Sequence, residues 1–246
     1  GHGFLFLHTW YVAGRGNYLM TSSPDGLTWS DRRQLAYFGD GHYQISGTWK
    51  GRKTGVAFNL HPKGKGLNHR TNLYYMETPD FGETWTTADG RALTLPLADK
   101  DNPARVLEYE SQSRNVYLKD VQFDSQGRPI LLFVLSKGYE SGPANGPREW
   151  RIARWTGSTW REIFTGIASD NNYDTGPLYV ESDTDWRIIG PTQPGPQPFN
   201  PGGEIAMWTS TGAGETWTMA RQLTTNSPMN HTYVRRPVNA HPDFYA

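Results

Sequence analysis

The chain has 246 residues, and the 36% that are hydrophobic suffice for the packed core of one or two domains and exclude a disordered chain. Its 24 basic and 24 acidic residues cancel, which argues against a nucleic-acid-binding protein, and it has no run of about 20 apolar residues to span a membrane. Because the sequence contains no cysteine, disulfide bonds, thiolate metal sites and a cysteine nucleophile are excluded.

Aromatic residues make up 13% of the sequence, beside 27 Gly and 17 Pro, a mixture typical of strands joined by tight turns. No segment shows sustained helical periodicity. Short apolar runs separated by turn-forming residues predict strands instead. In chain order these runs are Phe4–Val12, Gly55–Leu60, Asn72–Met76, Val116–Phe123, Pro129–Leu135, Arg151–Trp155, Leu178–Val180, Trp186–Ile189 and Ile205–Trp208. The sequence therefore predicts an all-β fold.

A segment ending in Trp is repeated along the chain. Ser23–Trp29, Thr78–Trp85 and Ser210–Trp217 align with one another, and Trp155–Trp160 is a degenerate fourth copy. The second copy fits the Asp-box pattern Ser/Thr-x-Asp-x-Gly-x-Thr-Trp in full, the first is one residue shorter, and the third has Gly212 in place of Asp. We interpret these segments as hairpin turns in which Asp caps backbone N–H groups and Trp packs between neighbouring sheets. This role is structural and not catalytic.

The spacing of these Trp residues predicts propeller blades. They lie at positions 29, 85, 160 and 217, at intervals of 56, 75 and 57 residues, each of which holds about four strands. We therefore expect residues 1–246 to form a single β-propeller domain of four-stranded antiparallel blades, about four of them present. The chain opens within a blade at Phe4, and His231–Ala246 opens another, so we expect an open piece of a larger ring, incomplete at both ends. Its free edge strands would be prone to association.

Polar and titratable residues recur at the predicted strand ends that face the central channel, where propellers bind ligands. Taken singly, each is more often a hydrogen-bonded structural residue, but the repeated placement favours a binding site. The residues at the starts of first strands are His42, Gln44, Tyr117, Lys119, Tyr173 and His231, those at second-strand ends are His61, Lys137 and Tyr139, Arg70 opens a third strand, and Arg235 and Arg236 follow His231.

The chemistry of this set favours an anionic substrate. The sequence has no Gly-rich phosphate loop, no His-Glu-x-x-His and no Gly-x-Ser-x-Gly motif. His, Tyr, Arg and Lys dominate, whereas an ordinary glycosidase needs two carboxylic acids. Asp120 and Asp174 keep the glycosidase alternative open. A basic clamp with a His or Tyr proton shuttle fits the set better.

Several segments resemble a known family. Asn68–Tyr75, the adjoining Thr78–Trp85 and Tyr233–Pro242 resemble the BNR/Asp-box repeat proteins of bacterial and fungal polysaccharide-degrading systems, and the similarity runs through nearly the whole chain. That family includes seven-bladed lyases of ulvan and of rhamnosyl-glucuronate ends, with a neighbouring group of rhamnosidases. The resemblance implies a seven-bladed ring in the parent protein. The similarity to sialidases is poorer, because their opening Arg motif is absent.

The resemblance also implies site residues. The family's lyases use His and Tyr for proton transfer and a basic residue on the uronate, so that His42 and His61 are similar to their channel-facing histidines. The catalytic Tyr would be one of three, Tyr109, Tyr117 or Tyr139. We expect both imidazoles to be accessible from the same mouth of the channel.

We therefore expect a polysaccharide lyase that cleaves a uronic-acid-containing glycan by β-elimination. His42 or His61 would be the base, Tyr139 or Tyr117 the acid, and a cation would neutralise the substrate carboxylate. The candidate substrate-binding residues are Gln44, Arg70, Lys119, Tyr173, His231, Arg235 and Arg236. The alternatives are a rhamnosidase-like or sialidase-like hydrolase on the same propeller, and a non-catalytic glycan-binding propeller.

The expected partner is an anionic oligo- or polysaccharide, with no nucleic acid and no membrane span. A propeller lyase requires no organic cofactor. The His side chains and carbonyl groups available in the channel are compatible with a structural calcium or zinc ion. No ligand spacing requires one, and no metal ligands are predicted. Because polymeric glycans lie outside cells, the sequence favours a secreted or periplasmic protein.

Overall fold

The computed structural model describes residues 3–12 and 15–237, and these residues are almost entirely antiparallel β-structure. Their only helical element is one short 3-10 turn, Pro143–Asn145. The strands are β1 Phe4–Val12, β2 Arg15–Ser23, β3 Arg33–Ala36, β4 Gln44–Trp49, β5 Lys53–Leu60, β6 Thr71–Thr78, β7 Arg105–Leu107, β8 Asn115–Phe123, β9 Pro129–Ser136, β10 Arg148–Trp155, β11 Trp160–Ser169, β12 Leu178–Val180, β13 Trp186–Gln193, β14 Glu204–Ser210 and β15 Thr218–Gln222. The all-β prediction is confirmed.

The strands form four sheets, which we call blades 1 to 4. Blade 1 contains β1–β3, blade 2 β4–β7, blade 3 β8–β11 and blade 4 β12–β15, and within each blade the strand order equals the chain order. These are antiparallel meanders of the kind that propeller blades are made of. Among the described strands, none of blade 1 pairs with one of blade 4, so these four sheets do not join into a closed ring by strand pairing.

The expected start of a further blade, His231–Ala246, extends beyond the described residues, which end at Pro237. In its described part, Tyr233 forms a parallel bridge with Thr175, and Val234 packs with Ile189 of blade 4. The association of free edges stays a prediction.

The hydrophobic core lies between neighbouring blades. In a strand, successive side chains point to opposite faces, so a blade with a neighbour on each side buries both. Strand β9 is buried along its whole length for this reason. Leu131 and Phe133 pack with Tyr75 of blade 2, whereas Ile130 and Leu132 belong to the core shared with blade 4. Rigid blades of this kind hold the residues at their strand ends in fixed positions.

Candidate active site

Strand ends and loops of blades 2, 3 and 4 converge on a cleft of about 360 Å³. Six of the predicted site residues lie there, together with residues that were not predicted. The described lining contains three cations and no carboxylate, so the cleft suits an anionic ligand. It is formed by Tyr43, Gln44, Ile45, Asn59, Arg70, Tyr117, Leu118, Lys119, Tyr173, Thr175, Tyr233 and Arg235.

The Arg70 guanidinium is held against aromatic rings. Its Cζ lies 4.1 Å from the ring centroid of Tyr43, 4.4 Å from that of Tyr117 and 5.3 Å from that of Tyr173. Its Nη2 donates to the Tyr173 hydroxyl at 3.2 Å, and its Nε to the Leu67 carbonyl at 3.2 Å. Stacking and hydrogen bonding fix the orientation of the group, and a fixed guanidinium is well suited to bind a carboxylate.

The tyrosines around Arg70 differ in what their hydroxyls bind. The Tyr117 hydroxyl donates to the Asn68 carbonyl at 2.8 Å, and burial raises its pKa well above the usual value. The Tyr173 hydroxyl donates to the Asn68 side-chain oxygen at 3.0 Å. The Tyr43 side chain is hydrogen-bonded to that of Tyr11, whose pKa is raised to about 12, first by burial and then by Tyr43. Tyr117 and Tyr173 also face each other, with their ring centroids 5.4 Å apart.

Lys119 lies in the lining, but its ammonium is turned into the protein. The side chain is 5% exposed, and Nζ donates to the carbonyl oxygen of Asn172 at 2.7 Å. Burial lowers the pKa of Lys119 to about 7, against the opposing effect of Asp174. The predicted direct contact of Lys119 with substrate therefore has to compete with a contact to the backbone.

His42 is buried behind the cleft. Its side chain has no exposed surface, and Nδ1 lies 2.9 Å from the Asn59 carbonyl oxygen. The ring packs edge-on against Phe38 and Phe58, and Nε2 has no hydrogen-bond partner among the described residues. Burial lowers the pKa of His42 to about 4, so the imidazole is neutral at pH 7.

His61 is also fully buried, and neither ring nitrogen has a hydrogen-bond partner among the described residues. Its ring centroid lies 4.7 Å from that of Tyr43. Its pKa is lowered to about 3, mainly by burial and to a smaller extent by the nearby Arg70. The expectation that His42 and His61 are accessible from the channel is therefore wrong, because apolar and aromatic side chains between blades 1 and 2 enclose them.

The other candidate tyrosines do not line the cleft. Tyr139 packs against His69, with the ring centroids 5.0 Å apart. The Tyr109 hydroxyl donates to Glu162 at 2.7 Å, and the side chain is 3% exposed in the core between blades 2 and 3.

Two predicted binding residues at the end of the described chain have other partners. His231 Nε2 lies 2.9 Å from the Ser227 hydroxyl, and Arg236 donates to the Leu178 carbonyl at 3.1 Å. Neither residue lines the cleft, whereas the exposed Arg235 does, with its guanidinium 5.1 Å from the ring of Tyr233.

The carboxylates that kept the glycosidase alternative open are bound to backbone N–H groups. Asp120 accepts from Leu178 N at 2.9 Å, and Asp174 accepts from Asn171 N at 2.9 Å and Gly202 N at 2.6 Å. Burial raises the pKa of both, that of Asp174 to about 6. Neither side chain lines the cleft, so this geometry offers no pair of acids across a substrate.

Sequence reasoning missed Tyr43, Tyr11, Asn68 and Tyr233. Tyr43 lies between two residues that were singled out, His42 and Gln44, so its position carried a signal. Tyr11 comes from blade 1, and no local pattern connects it with this site.

In the part of the chain that the structure describes, no group of three or more His, Asp or Glu residues is arranged to hold a metal ion. The same residues include no helix with the length and apolar character needed to cross a membrane.

The propeller blades, with the cleft at their strand ends, define the structural class of this protein. Its family follows from sequence: the model of the BNR repeat-containing family matches residues 32–167, more than half of the chain, and the protein belongs to that family. Comparison with curated protein sequences gives no match.

Solved structures show the same fold. An ulvan lyase, described as a new family of polysaccharide lyase, superposes with a TM-score of 0.67 at 17% sequence identity, over 89% of this chain and 55% of that one. The same lyase bound to -[GlcA(1-4)Rha3S]- gives the same values. An α-L-arabinanase from Penicillium chrysogenum, complexed with arabinobiose, superposes with a TM-score of 0.50 at 10% identity, over 93% and 61%. The chain thus spans about half the length of the ulvan lyase.

Proposed function

We propose that this protein is a carbohydrate-active enzyme, a polysaccharide lyase that cleaves a uronic-acid-containing glycan by β-elimination. The observation that carries the proposal is the cleft itself, in which Arg70, Arg235 and tyrosine rings meet with no carboxylate in the described lining. A uronate polymer is anionic and presents apolar sugar faces, and a cationic, aromatic cleft is complementary to both. The fold similarity to an ulvan lyase and the family membership support the choice.

Arg70 would neutralise the substrate carboxylate. In the elimination, the C5 proton leaves, its electron pair forms the C4=C5 double bond, and the C4–O4 bond breaks with protonation of the departing oxygen. The C5 proton becomes acidic enough only when the charge that grows on the carboxylate is stabilised. The Arg70 guanidinium is already oriented by Tyr43, Tyr117 and Tyr173, so this stabilisation needs no rearrangement in the transition state.

Tyr43 is the group best placed at the cleft to move the proton. It lines the cleft, lies under the Arg70 guanidinium and is hydrogen-bonded to Tyr11, which is exposed to solvent. In this assignment the Tyr43 phenolic oxygen accepts the C5 proton, and its contact with Tyr11 connects it with solvent. Tyr117 suits this step less well, because its hydroxyl proton is donated to a backbone carbonyl. A buried His61 would act through Tyr43 rather than on the sugar.

The test is an assay of the purified protein on uronate-containing polysaccharides and on a neutral arabinan. Ultraviolet absorbance of a 4,5-unsaturated uronate is the expected result. Saturated reducing ends would indicate a hydrolase, and binding without turnover would indicate a glycan-binding module; either would overturn the proposal. Arg70→Ala should abolish elimination, whereas Arg221→Ala, a change of the same type on the exposed strand β15, should not alter it.

A further inference from the structure

We propose that Lys119 is a positioning residue: from blade 3 it fixes the segment Asn171–Asp174, so that Tyr173 in turn holds Arg70 ready for the substrate carboxylate. The inference rests on the proposed function. It replaces the sequence-based assignment of Lys119 as a residue that binds substrate directly.

The first step is the contact of the ammonium group. Lys119 is in the middle of β8, and its Nζ donates at 2.7 Å to the Asn172 carbonyl in a buried hydrogen bond. A buried ammonium is costly unless it is hydrogen-bonded, so this contact is not readily exchanged for one with a ligand. The hydrogen bond joins blade 3 to the segment that precedes blade 4.

Further hydrogen bonds hold the segment Asn171–Asp174 in place. The Asn172 side-chain amide donates to the Gly138 carbonyl at 2.8 Å, and the Asp174 carboxylate accepts from the N–H groups of Asn171 and Gly202. Hydrogen bonds therefore fix the residues on both sides of Tyr173, although Tyr173 itself is 42% exposed. Among these hydrogen bonds, the one from Lys119 starts on strand β8, which also contributes Tyr117 to the cleft.

The third step leads from the segment to Arg70. The Tyr173 hydroxyl donates to Asn68 at 3.0 Å and accepts from Arg70 Nη2 at 3.2 Å. A displacement of Asn172 would therefore move Tyr173 and free one edge of the guanidinium. A misplacement of about 1 Å can cost about 100-fold in rate, so a contact remote from the sugar can control turnover.

A double-mutant cycle tests this chain of contacts. Lys119→Met and Tyr173→Phe should each lower kcat/KM for elimination by about 10-fold to 100-fold. Because both side chains act through one segment, the double variant should be no less active than the less active of the two single variants. Lys50→Met, in the turn after β4, is the matched control and should behave as wild type. Multiplicative effects in the double variant would overturn the inference.

A second measurement separates positioning from direct charge recognition. Lys119→Gln removes the charge but keeps an N–H donor for the Asn172 carbonyl, and it should retain several-fold more activity than Lys119→Met. The dependence of substrate affinity on salt, measured by calorimetry, should be as in wild type for both variants and weaker for Arg70→Ala, because only a cation that meets the substrate contributes to it. Equal damage from Gln and Met, with a weakened salt dependence, would show that Lys119 binds the substrate charge.

The inference can be tested apart from the proposed reaction. If the wild-type protein eliminates no uronate polymer, the proposed function fails, but calorimetric binding of an anionic oligosaccharide to the same variants still tests the positioning. Non-additive losses of affinity for Lys119→Met and Tyr173→Phe would support it, and additive losses would contradict it. Thermal unfolding of each variant shows whether it is folded.

Discussion

Blades 1 and 2 present the same strand pattern in two different surroundings. In blade 1 the β1–β2 hairpin pairs Phe4 with Ser23, and in blade 2 the β5–β6 hairpin pairs Thr54 with Thr78. Ser23 and Thr78 each begin one of the repeated turns, so the two hairpins align from this turn as far as Phe58, beyond which β6 contains one extra residue. The face of β1 that contains Phe6 and Trp10 thus corresponds to the face of β5 that packs on blade 1.

Exposure differs sharply between these equivalent faces. Val56 and Leu60 of β5 are 0% and 2% exposed, whereas the corresponding Phe6 and Trp10 of β1 are 55% and 46% exposed. The turn residues follow the same rule, since Trp85 is 2% exposed and Trp29 is 44% exposed. The apolar pattern of a strand therefore marks a face suited to packing, and a neighbouring sheet determines whether that face is buried.

Removing the equivalent Trp of each blade should change the stability by very different amounts. Trp85→Ala should lower the free energy of unfolding by about 3–5 kcal/mol, because it empties a core site between two blades. Trp29→Ala should cost about 1 kcal/mol or less, because that ring packs on Phe6 and remains half in water. Urea denaturation measures both. Equal losses would show that Trp stabilises its own turn rather than the contact between blades.

The buried histidines between blades 1 and 2 should make this interface sensitive to acid. His42 is neutral in the folded protein, with its pKa lowered from 6.5 to about 4 by burial, but takes up a proton when unfolded below pH 6.5. Its stabilising contribution is therefore present in full above pH 6.5 and is lost as the pH falls towards 4. The loss should be about 3 kcal/mol by pH 4, since the pKa is lowered from 6.5 to about 4 and one pKa unit corresponds to about 1.4 kcal/mol.

Urea denaturation at several pH values checks this, and His42→Gln should flatten the acid limb of the stability profile. A profile unchanged by that substitution would contradict the assignment of a neutral, buried His42.

The Asp caps of the same two turns should respond alike, in contrast to their Trp residues. The Asp80 carboxylate accepts from the Thr84 N–H at 2.8 Å, and Asp25 accepts from the Leu27 and Thr28 N–H groups at 2.8 Å. Both contacts are local, so Asp80→Ala should cost about 1–2 kcal/mol by urea denaturation, and Asp25→Ala should lower the stability as well. Turnover should stay within tenfold of wild type. A larger loss of activity with an unchanged melting curve would assign these turns a catalytic role.

Much of the fold could be predicted from sequence, because strand alternation and the turn repeats are local signals. The runs at Val116–Phe123 and Leu178–Val180 correspond to β8 and β12 residue for residue or nearly so. The expectation that polar residues at channel-facing strand ends form the site also located Arg70 and Tyr173 at the cleft. It failed for His42, since strand position does not reveal which of two neighbouring side chains turns inward; Tyr43, the next residue, lines the cleft instead.

The distant contacts of the site left no sequence signal. Tyr11 reaches Tyr43 from another blade, and the Lys119 ammonium binds a backbone carbonyl at Asn172. Both depend on how blades are placed against one another, which composition and spacing do not encode.

The smallest expected effect is a gain of stability at the turn that lacks its Asp. In Ser210–Trp217, Ala213 and Gly214 have φ of 53° and 87°, close to the 61° and 93° of Phe81 and Gly82, so the two turns share a backbone conformation. Gly212 occupies the position of Asp80 and does not have a left-handed φ. A Cβ placed on it would meet Glu215 Cβ at 3.9 Å and Thr216 Oγ1 at 4.0 Å, which are ordinary contacts.

Gly212→Asp should therefore create the cap that Asp80 makes, with its carboxylate accepting from the Thr216 N–H and hydroxyl as Asp80 does from those of Thr84. We expect a gain of about 0.5–1 kcal/mol in the free energy of unfolding. Part of it arises because replacing Gly lowers the conformational entropy of the unfolded chain. Gly212→Ala is the matched control, since it reproduces the unfolded-state effect without the cap and should gain less. If Asp stabilises no more than Ala, the carboxylate makes no cap in this turn. The contribution of Asp80 to stability would then depend on the residues around it and not on the conformation of the repeated turn.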